Sequence, residues 1–233
     1  MRNSSKPSFR HELKFLMSKT EAELLKQRLN LVLGRDVYAK NGRYMIRSLY
    51  FDDREESAYE DKLSGVESRK KYRIRFYDGD DSMIKLERKR KEGQYIQKVS
   101  ARLTKYELDE LMAGQYDFLR KRDEELCRDF YTECALKGMK PAVIVDYDRE
   151  PYVYPYGDVR ITFDSNIRAG LRTLNPFDMH MPVMDVIDRG QLILEVKYTQ
   201  YLPEIIRDLL PVNNSIQTAY SKYTMCLEMR KEF

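Results

Sequence analysis

The sequence has 233 residues, with 42 Lys and Arg against 38 Asp and Glu and a formal net charge of +4. The near balance excludes a polycation that coats nucleic acid, so we expect no nucleic-acid partner and a positive charge focused in one place. The three cysteines show no CxxC spacing, which argues against a disulfide framework or a zinc site, and no apolar run approaches the roughly 18 residues of a membrane span, so we expect a cytoplasmic protein.

The N-terminal half reads as strands joined by capped helices and tight turns. Residues 1–7 form a polar leader, after which the first strand begins. Ser18 to Glu21 and Thr104 to Glu107 are capping boxes, and Asp78-Gly79 marks a hairpin turn. The expected elements in order are a strand at 8–17, a helix ending near Gly34, a strand at 43–51, a short helix capped by Asp52 and Asp53 that runs through Tyr59, strands at 69–77, 83–91 and 94–100, and helical sequence at 104–137 with a break near Gly114.

Proline and glycine punctuate the C-terminal half. The expected elements are a strand at 142–149 after Pro141, a turn at Pro151, Pro155 and Gly157, a strand at 158–165, an irregular loop or flap at 166–190, a strand at 191–199, a helix with Pro203 as its first residue, and a last helix at about 216–231. No internal repeat or linker divides the chain. Residues 8–233 are therefore predicted to form one α+β domain with a mostly antiparallel sheet.

Six segments alternate charged side chains with large apolar ones: 10–15, 73–77, 85–89, 147–149, 160–164 and 195–198. Residues two apart in a strand point to the same face, so each segment has one charged and one apolar face. For any single strand, a sheet with one solvated face is the simpler interpretation. For the whole set, a closed antiparallel β-barrel with helices outside removes the exposed edges and turns the charges inward. We therefore expect a barrel that encloses a basic tunnel.

Cations that face one another in a narrow space repel unless an anion lies between them. Phosphate chains suit such a space because each phosphate accepts several charge-assisted hydrogen bonds. The few carboxylates among the cations suit a divalent metal, Mg²⁺ or Mn²⁺, that bridges phosphate oxygens. Common nucleotide-binding motifs do not occur: the sequence has no P-loop, no G-x-G-x-x-G and two histidines in all.

Seven motifs occur in a particular order along the chain: Glu12-Leu-Lys14, Ser48-Leu-Tyr50-Phe-Asp52-Asp53, Tyr72-Arg73-Ile-Arg75-Phe-Tyr77, Lys85-Leu-Glu87-Arg-Lys89, Arg160-Ile-Thr-Phe-Asp164, Leu194-Glu195-Val-Lys197 and Ser221-Lys222-Tyr223. Together they resemble the catalytic domain of the vacuolar transporter chaperone (VTC) family, a polyphosphate polymerase among the triphosphate tunnel metalloenzymes. The resemblance covers about residues 8–230. It implies ATP-dependent synthesis of linear polyphosphate with a divalent metal, usually Mn²⁺.

By motif position, the resemblance assigns roles to individual side chains. The catalytic set would be Arg73, Arg75, Lys85, Arg149 and Arg160. The substrate-binding set would be Lys14, Ser221 and Lys222, with Lys98 on the strand after Gly93 as a further candidate and Lys89 and Lys197, which share the inward faces, as second choices. Tyr147 shares the strand face of Arg149 and could stack on adenine. Glu195 would carry the metal, with Glu87 and Glu12 as second choices.

Each assignment competes with an ordinary structural role. Arg149 could pair with Asp146 or Asp148, and Arg160 with Asp164. Lys85, Glu87 and Lys89 could form a charge ladder on the surface, and Tyr147 could be a packing residue rather than an adenine platform.

Two departures from the family pattern bear on function. The eukaryotic relatives carry an N-terminal SPX domain and C-terminal membrane helices, and the sequence shows neither, so regulation by inositol pyrophosphates and a membrane partner are not implied. The related triphosphatases carry E-x-E-x-K in the first strand, where this chain reads Arg10-His-Glu12-Leu-Lys14. The single Glu favours the polymerase. Two other functions stay compatible with the sequence: a tunnel-type triphosphatase, with water as the acceptor, and a non-catalytic module that binds polyphosphate, nucleotide or an inositol phosphate. The oligomeric state is not indicated.

Overall fold

A computed structural model describes residues 9–37, 39–210 and 220–233. The strands within these ranges are β1 (His11–Ser18), β2 (Gly34–Arg35), β3 (Tyr44–Asp52), β4 (Ser68–Tyr77), β5 (Asp80–Glu92), β6 (Tyr95–Leu103), β7 (Lys140–Tyr154), β8 (Val159–Gly170), β9 (Val183–Asp185) and β10 (Gln191–Tyr198). The helices are α1 (Lys19–Leu29), α2 (Ser57–Leu63), α3 (Lys105–Met112), α4 (Asp117–Arg120), α5 (Glu125–Lys137), α6 (Glu204–Leu209) and α7 (Lys222–Glu232). None of the helices in the described ranges has the length and apolar character needed to cross a bilayer.

All the strands belong to one antiparallel sheet, whose main order is β1-β10-β8-β7-β3-β4-β5-β6. The sheet curls until its two edge strands approach each other. Arg10 and Ile96 form a single bridge there, with N···O distances of 2.9 and 3.0 Å. The edges are thus joined at one point rather than by a full ladder, and the predicted barrel-like α+β fold is confirmed.

Local sequence signals explain where several elements begin and turn. Both predicted capping boxes are present, with Ser18 and Glu21 at the start of α1 and Thr104 and Glu107 at the start of α3. The turn between β4 and β5 has φ of 52° at Asp78 and 72° at Gly79. Two consecutive positive φ values match the twist of the flanking strands, as in a type I′ hairpin.

The helices cover the outer, apolar face of the sheet in two groups. Helices α3, α4 and α5 pack on β3 to β6, where Ile74, Phe76 and Leu86 are fully or almost fully buried. Helices α1 and α6 pack on β1, β10 and β8. Cys127 and Cys134 are seven residues apart, which places them on one face of α5, and both lie buried against the sheet. Because the apolar residues face outward, the charged residues that alternate with them face inward.

The C-terminal half differs from expectation in its boundaries. Strand β7 continues through Pro151, which pairs with Thr162, because proline removes one donor and leaves the pairing of its neighbours intact. The predicted irregular stretch 166–190 contains the end of β8 and all of β9. Pro203 is the N-cap of α6 and not its first helical residue. The predicted last helix begins at residue 222, and 211–219 lie outside the described residues.

Residues 171–182 cross the outer face of the sheet and are held there by a buried ion pair. Arg47 donates from Nε and Nη2 to Asp146, both at 2.8 Å, and from Nη1 to the carbonyl oxygens of Pro176 and Asp178 at 3.0 and 2.9 Å. The predicted flap is therefore fastened to the outside of the barrel.

Arg47→Met should destabilise the fold by about 3 kcal/mol or more, because it leaves the Asp146 carboxylate buried without a partner. Urea unfolding measures the free energy of unfolding. Arg189→Met is the matched control, since the Arg189 side chain is 89% exposed and its pair with Asp185 should contribute little. Equal losses in the two variants would contradict a structural role for the buried pair.

Candidate functional site

The register of the sheet brings the predicted side chains to one inner face. Across β3, β4 and β5, Arg73 lies opposite Tyr50 and Glu87, and Arg75 lies opposite Ser48 and Lys85. The same face continues around the barrel through Lys89, Lys98, Arg149, Arg160, Glu195, Lys197, Glu12 and Lys14. We call the space that these side chains surround the channel.

Glu87 organises one side of the channel and has no exposed surface. Its Oε2 accepts from Arg73 Nε and Nη2 at 2.8 and 2.7 Å, and its Oε1 accepts from Lys98 at 2.9 Å. Burial alone would raise the pKa of Glu87, but the charges of Arg75, Arg73 and Lys98 hold it well below its usual range. One carboxylate thus anchors several cations that would otherwise repel.

Neutral hydroxyl groups complete the fixing of the two arginines. Arg73 Nη1 donates to the Tyr50 hydroxyl at 2.7 Å. Arg75 donates from Nη2 to the Tyr147 hydroxyl at 3.0 Å and from Nε to Ser48 Oγ at 3.3 Å. Since hydroxyl partners carry no charge, they position the guanidinium groups without offsetting their charge. Glu87 offsets one of the three positive charges of Arg73, Arg75 and Lys98, which leaves a net positive charge for an anion.

A second carboxylate, Glu195, lies between four cations. Its Oε1 is 2.7 Å from Lys222 Nζ and 3.7 Å from Lys14, and its Oε2 is 2.6 Å from Lys197 and 3.2 Å from Arg149. Burial raises the pKa of Glu195, but the ammonium groups of Lys197 and Lys222 lead the charges that hold it well below its usual range.

Two further carboxylates share these cations. Asp164 accepts from Arg149 at 2.7 and 2.6 Å and lies 2.7 Å from Lys222. Glu12 lies 2.6 Å from Lys89 and 3.6 Å from Lys197. The basic side chains around the channel clearly outnumber its four carboxylates, which leaves a net positive charge.

Helix α7 delivers Lys222 to the site. Tyr223, Cys226 and Leu227 pack on an apolar part of the inner face beside Ile193 and Val145. The N-terminus of α7 consequently points into the channel, with Ser221 as its N-cap. The resemblance, and not the pattern of α7, was the signal that selected Ser221 and Lys222.

The competing ion pairs that the sequence suggested do not form. Arg149 pairs with Asp164 and Glu195, because Asp164 is its cross-strand partner and Asp146 is held by Arg47. Asp148 accepts instead from Asn166. The alternative pairing of Arg160 with Asp164 does not form, because Arg160 is bound to Asp36 and donates to the Tyr44 hydroxyl at 3.1 Å.

The surface charge ladder suggested for β5 does not form either. Glu87 is fully buried, and Lys89 contacts Glu12 across the channel. Lys85 makes no ion pair with any described residue, and its Nζ lies 5.5 Å from the centre of the Tyr77 ring.

Asp164 and Lys71 lie on the inner face but were not selected as site residues from the sequence. Asp164 stands in one of the quoted motifs. Lys71 lies two residues before Arg73 and faces the channel, where its Nζ donates to Ser221 Oγ at 3.2 Å. The alternation that selected Arg73 and Arg75 could have found Lys71, since all three positions share a face of β4.

The donor set fits a metal that arrives with phosphate better than a resident ion. Within the described ranges, no three His, Cys, Asp or Glu side chains converge as a ready ligand set. Glu195 and Glu12 lie on neighbouring strands, and each is already bonded to lysine. Mg²⁺ and Mn²⁺ are typically held by one or two carboxylates together with phosphate oxygens and water. The residues present fit such an ion.

Comparisons with known proteins give a family and a fold. A family model described as "VTC domain" matches residues 9–230. No curated protein matches the sequence.

Among solved structures, a candidate adenylyl cyclase from Hippeastrum, described as having a dominant triphosphatase activity, is 14% identical, with a TM-score of 0.57 over 95% of this chain and 96% of that one. A candidate adenylate cyclase from Bacillus halodurans is 13% identical, with a TM-score of 0.49 over 84% and 83% of the two chains. A protein from Pyrococcus horikoshii is 15% identical, with a TM-score of 0.48 over 95% and 99%. At 14% identity, the likeness to the Hippeastrum protein is one of fold.

Proposed function

This chain belongs to the VTC domain family, and on that premise we propose that it is an ATP-dependent polyphosphate polymerase. It transfers the γ-phosphate of ATP to a growing polyphosphate chain inside the channel. The observation that carries the proposal is the pair of buried guanidinium groups of Arg73 and Arg75, fixed by hydroxyls and by the shared Glu87 on the inner face. A surface sheet has no need to hold two arginines side by side in this way.

The reaction needs positioning and charge stabilisation from the protein. A terminal oxygen of the acceptor chain attacks the γ-phosphorus in line, the bond from that phosphorus to the β–γ bridging oxygen breaks, and ADP leaves with the electron pair. Arg73, Arg75 and Lys85 stabilise the charge on the transferred phosphoryl group. No protein nucleophile is required.

The remaining channel residues hold the substrate chains. We assign contacts with phosphate to Arg149, Arg160, Lys14, Lys89, Lys98, Lys197, Ser221 and Lys222. Tyr147 is buried and lies under two cations, with its ring centre 5.2 Å from Arg149 and 5.0 Å from Lys222. Tyr147 therefore acts at the phosphate end of the substrate, where it orients the cations that bind it.

A divalent ion, Mn²⁺ or Mg²⁺, would be held by Glu195, with Glu12 and Glu87 as further carboxylates. When bound, it neutralises part of the charge on the phosphate oxygens. Glu195 can take part because Lys197 and Lys222 can turn from its oxygens to phosphate.

The second candidate is a triphosphatase that uses the same channel with water as the acceptor, which the likeness of fold to the Hippeastrum protein favours. The third is a binding module without turnover.

Incubation of purified protein with ATP and Mn²⁺ separates the three. Ladders of long phosphate chains on a gel are the expected result. Free phosphate without chains would establish the triphosphatase instead, and unreacted ATP bound with measurable affinity would establish the binding module. A reaction with chelator in place of Mn²⁺ is the control for contaminating metal-free activities.

A further inference from the structure

Lys71 is a half-buried lysine on the inner face that the proposed transfer step does not use. Its Nζ donates to Ser221 Oγ at 3.2 Å and lies 4.3 Å from the centre of the Tyr223 ring. None of the carboxylates in the described ranges forms an ion pair with it. An ammonium group in such a place is costly unless an anion joins it.

The charged neighbours of Lys71 are mostly cations from other elements. The positive charges that repel its ammonium form belong to Lys14 on β1, Lys89 on β5, Arg69 on β4 and Lys62 on α2. Burial, and then these four charges, lower the pKa of Lys71 to about 6. The carboxylates nearby act on other cations: Glu12 binds Lys89, Glu195 lies near Lys14, and Asp61 acts on Arg69.

Helix α7 starts beside this cluster and adds a second attraction for anions. Its N-cap Ser221 contacts Lys71, and Lys14 donates to the carbonyl oxygen of Tyr220 at 3.1 Å. The N–H groups of the first helical turn have no partners within the helix, and the helix dipole favours negative charge there. The ammonium of Lys222 turns away to Glu195 and Asp164.

We propose that Lys71, Lys14 and the N-terminus of α7 form a separate phosphate subsite that binds the end of the acceptor polyphosphate chain without a metal ion. The assignment rests on the proposed polymerase function. Carboxylates able to hold a metal lie around Glu195, so the metal-bound nucleotide belongs there. The cluster around Lys71 offers cations and N–H groups, which suit a bare phosphate chain.

Binding at this subsite is coupled to protonation. Free Lys71 is mostly neutral at pH 7.5, because that pH lies above its pKa of about 6. A bound phosphate favours the ammonium form and raises this pKa, so binding takes up a proton. Affinity for the chain should therefore fall as the pH rises above 6, whereas a subsite with permanently charged lysines would show little change.

Lys71→Met tests the subsite in the chain of 233 residues. Calorimetry with tripolyphosphate and chelator at pH 7.5, in two buffers of different ionisation enthalpy, measures affinity and proton uptake together. The variant should bind about tenfold more weakly, as expected for loss of one charge-assisted contact, and should lose the uptake. Its melting temperature should rise by about 3 °C or more, since folding no longer has to desolvate and deprotonate this amine.

Lys70→Met is the matched control, because Lys70 points to the opposite face of β4 and pairs with Glu133. It should leave affinity and uptake unchanged. Unchanged affinity and uptake in Lys71→Met would overturn the subsite, as would orthophosphate binding as tightly as tripolyphosphate.

Turnover separates this subsite from the proposed function. In a polymerase, Lys71→Met should raise KM for added polyphosphate about tenfold and leave KM for ATP unchanged. If wild type makes no polyphosphate but Lys71→Met still loses chain binding and proton uptake, the polymerase fails and the phosphate subsite stands. If wild type makes polyphosphate and Lys71→Met matches it in every respect, the subsite fails alone.

Discussion

Arg75→Ala is expected to slow the transfer of phosphate from ATP at least about 30-fold, which corresponds to about 2 kcal/mol of transition-state stabilisation. The guanidinium of Arg75 is buried and fixed by Tyr147 and Ser48, so it can contact the transferred phosphate without reorganising. Glu87 keeps its bonds to Arg73 and Lys98 in this variant, so the fold should survive. The initial rate of polyphosphate formation at saturating ATP measures the effect.

Arg90→Ala is the matched control for this experiment. Arg90 lies on the outward face of β5, pairs with Glu92 and has its side chain 47% exposed. Its rate should equal that of wild type. An unchanged rate in Arg75→Ala would show that this guanidinium does not contact the transferred phosphate.

Glu195→Gln is expected to reduce metal-dependent turnover at least about 100-fold and to leave metal-free binding of tripolyphosphate as tight as in wild type, or tighter. The two effects have opposite signs because Glu195 holds four cations in the ligand-free protein. The isosteric amide frees those cations for phosphate and removes the metal ligand. The free energy of unfolding should fall by about 3 kcal/mol in phosphate-free buffer, since the cations lose their shared counter-ion.

Glu150→Gln provides the comparison, because Glu150 pairs with Lys26 outside the barrel. Turnover and its Mn²⁺ dependence should be unchanged there. If Glu195→Gln kept full turnover at every Mn²⁺ concentration, Glu195 would not be a metal ligand and would serve only as a counter-ion to the surrounding cations.

The charged side chains of the inner face could be predicted from the sequence, because the alternation that places them there occurs within single strands. Arg73 and Arg75 alternate with Ile74 and Phe76, and a strand must put the two pairs on opposite faces. Large apolar residues on every strand required helices outside, which placed the charges inside.

Which side chains form ion pairs in the channel could not be predicted from the sequence, because the pairing depends on the register of the strands and on the curvature of the sheet. Arg160 has Asp164 on its own strand face, yet it binds Asp36, which lies between β2 and β3. The ion pair of Glu12 and Lys89 joins β1, at one edge of the sheet, to β5, the strand next to the other edge, and the curling of the barrel creates that contact. Alternation within a strand carries no information about such distances.

The position of α7 could not be predicted from the sequence either. Its buried residues Tyr223, Cys226 and Leu227 predict a packed helix but not the face on which it packs. Only the fold reveals that they rest on the inside of the sheet and bring Lys222 to Glu195 and Asp164. The surroundings of Lys71 could not be predicted for the same reason, because its contacts with Ser221 and Tyr223 depend on where α7 packs.

The most direct test of the account is a crystal structure of the protein grown with tripolyphosphate. The account predicts phosphate oxygens inside the channel, within hydrogen-bonding distance of the guanidinium groups of Arg73 and Arg75 and of Lys85 Nζ. Tripolyphosphate bound on the outer surface alone, with those three side chains still contacting only protein, would contradict it.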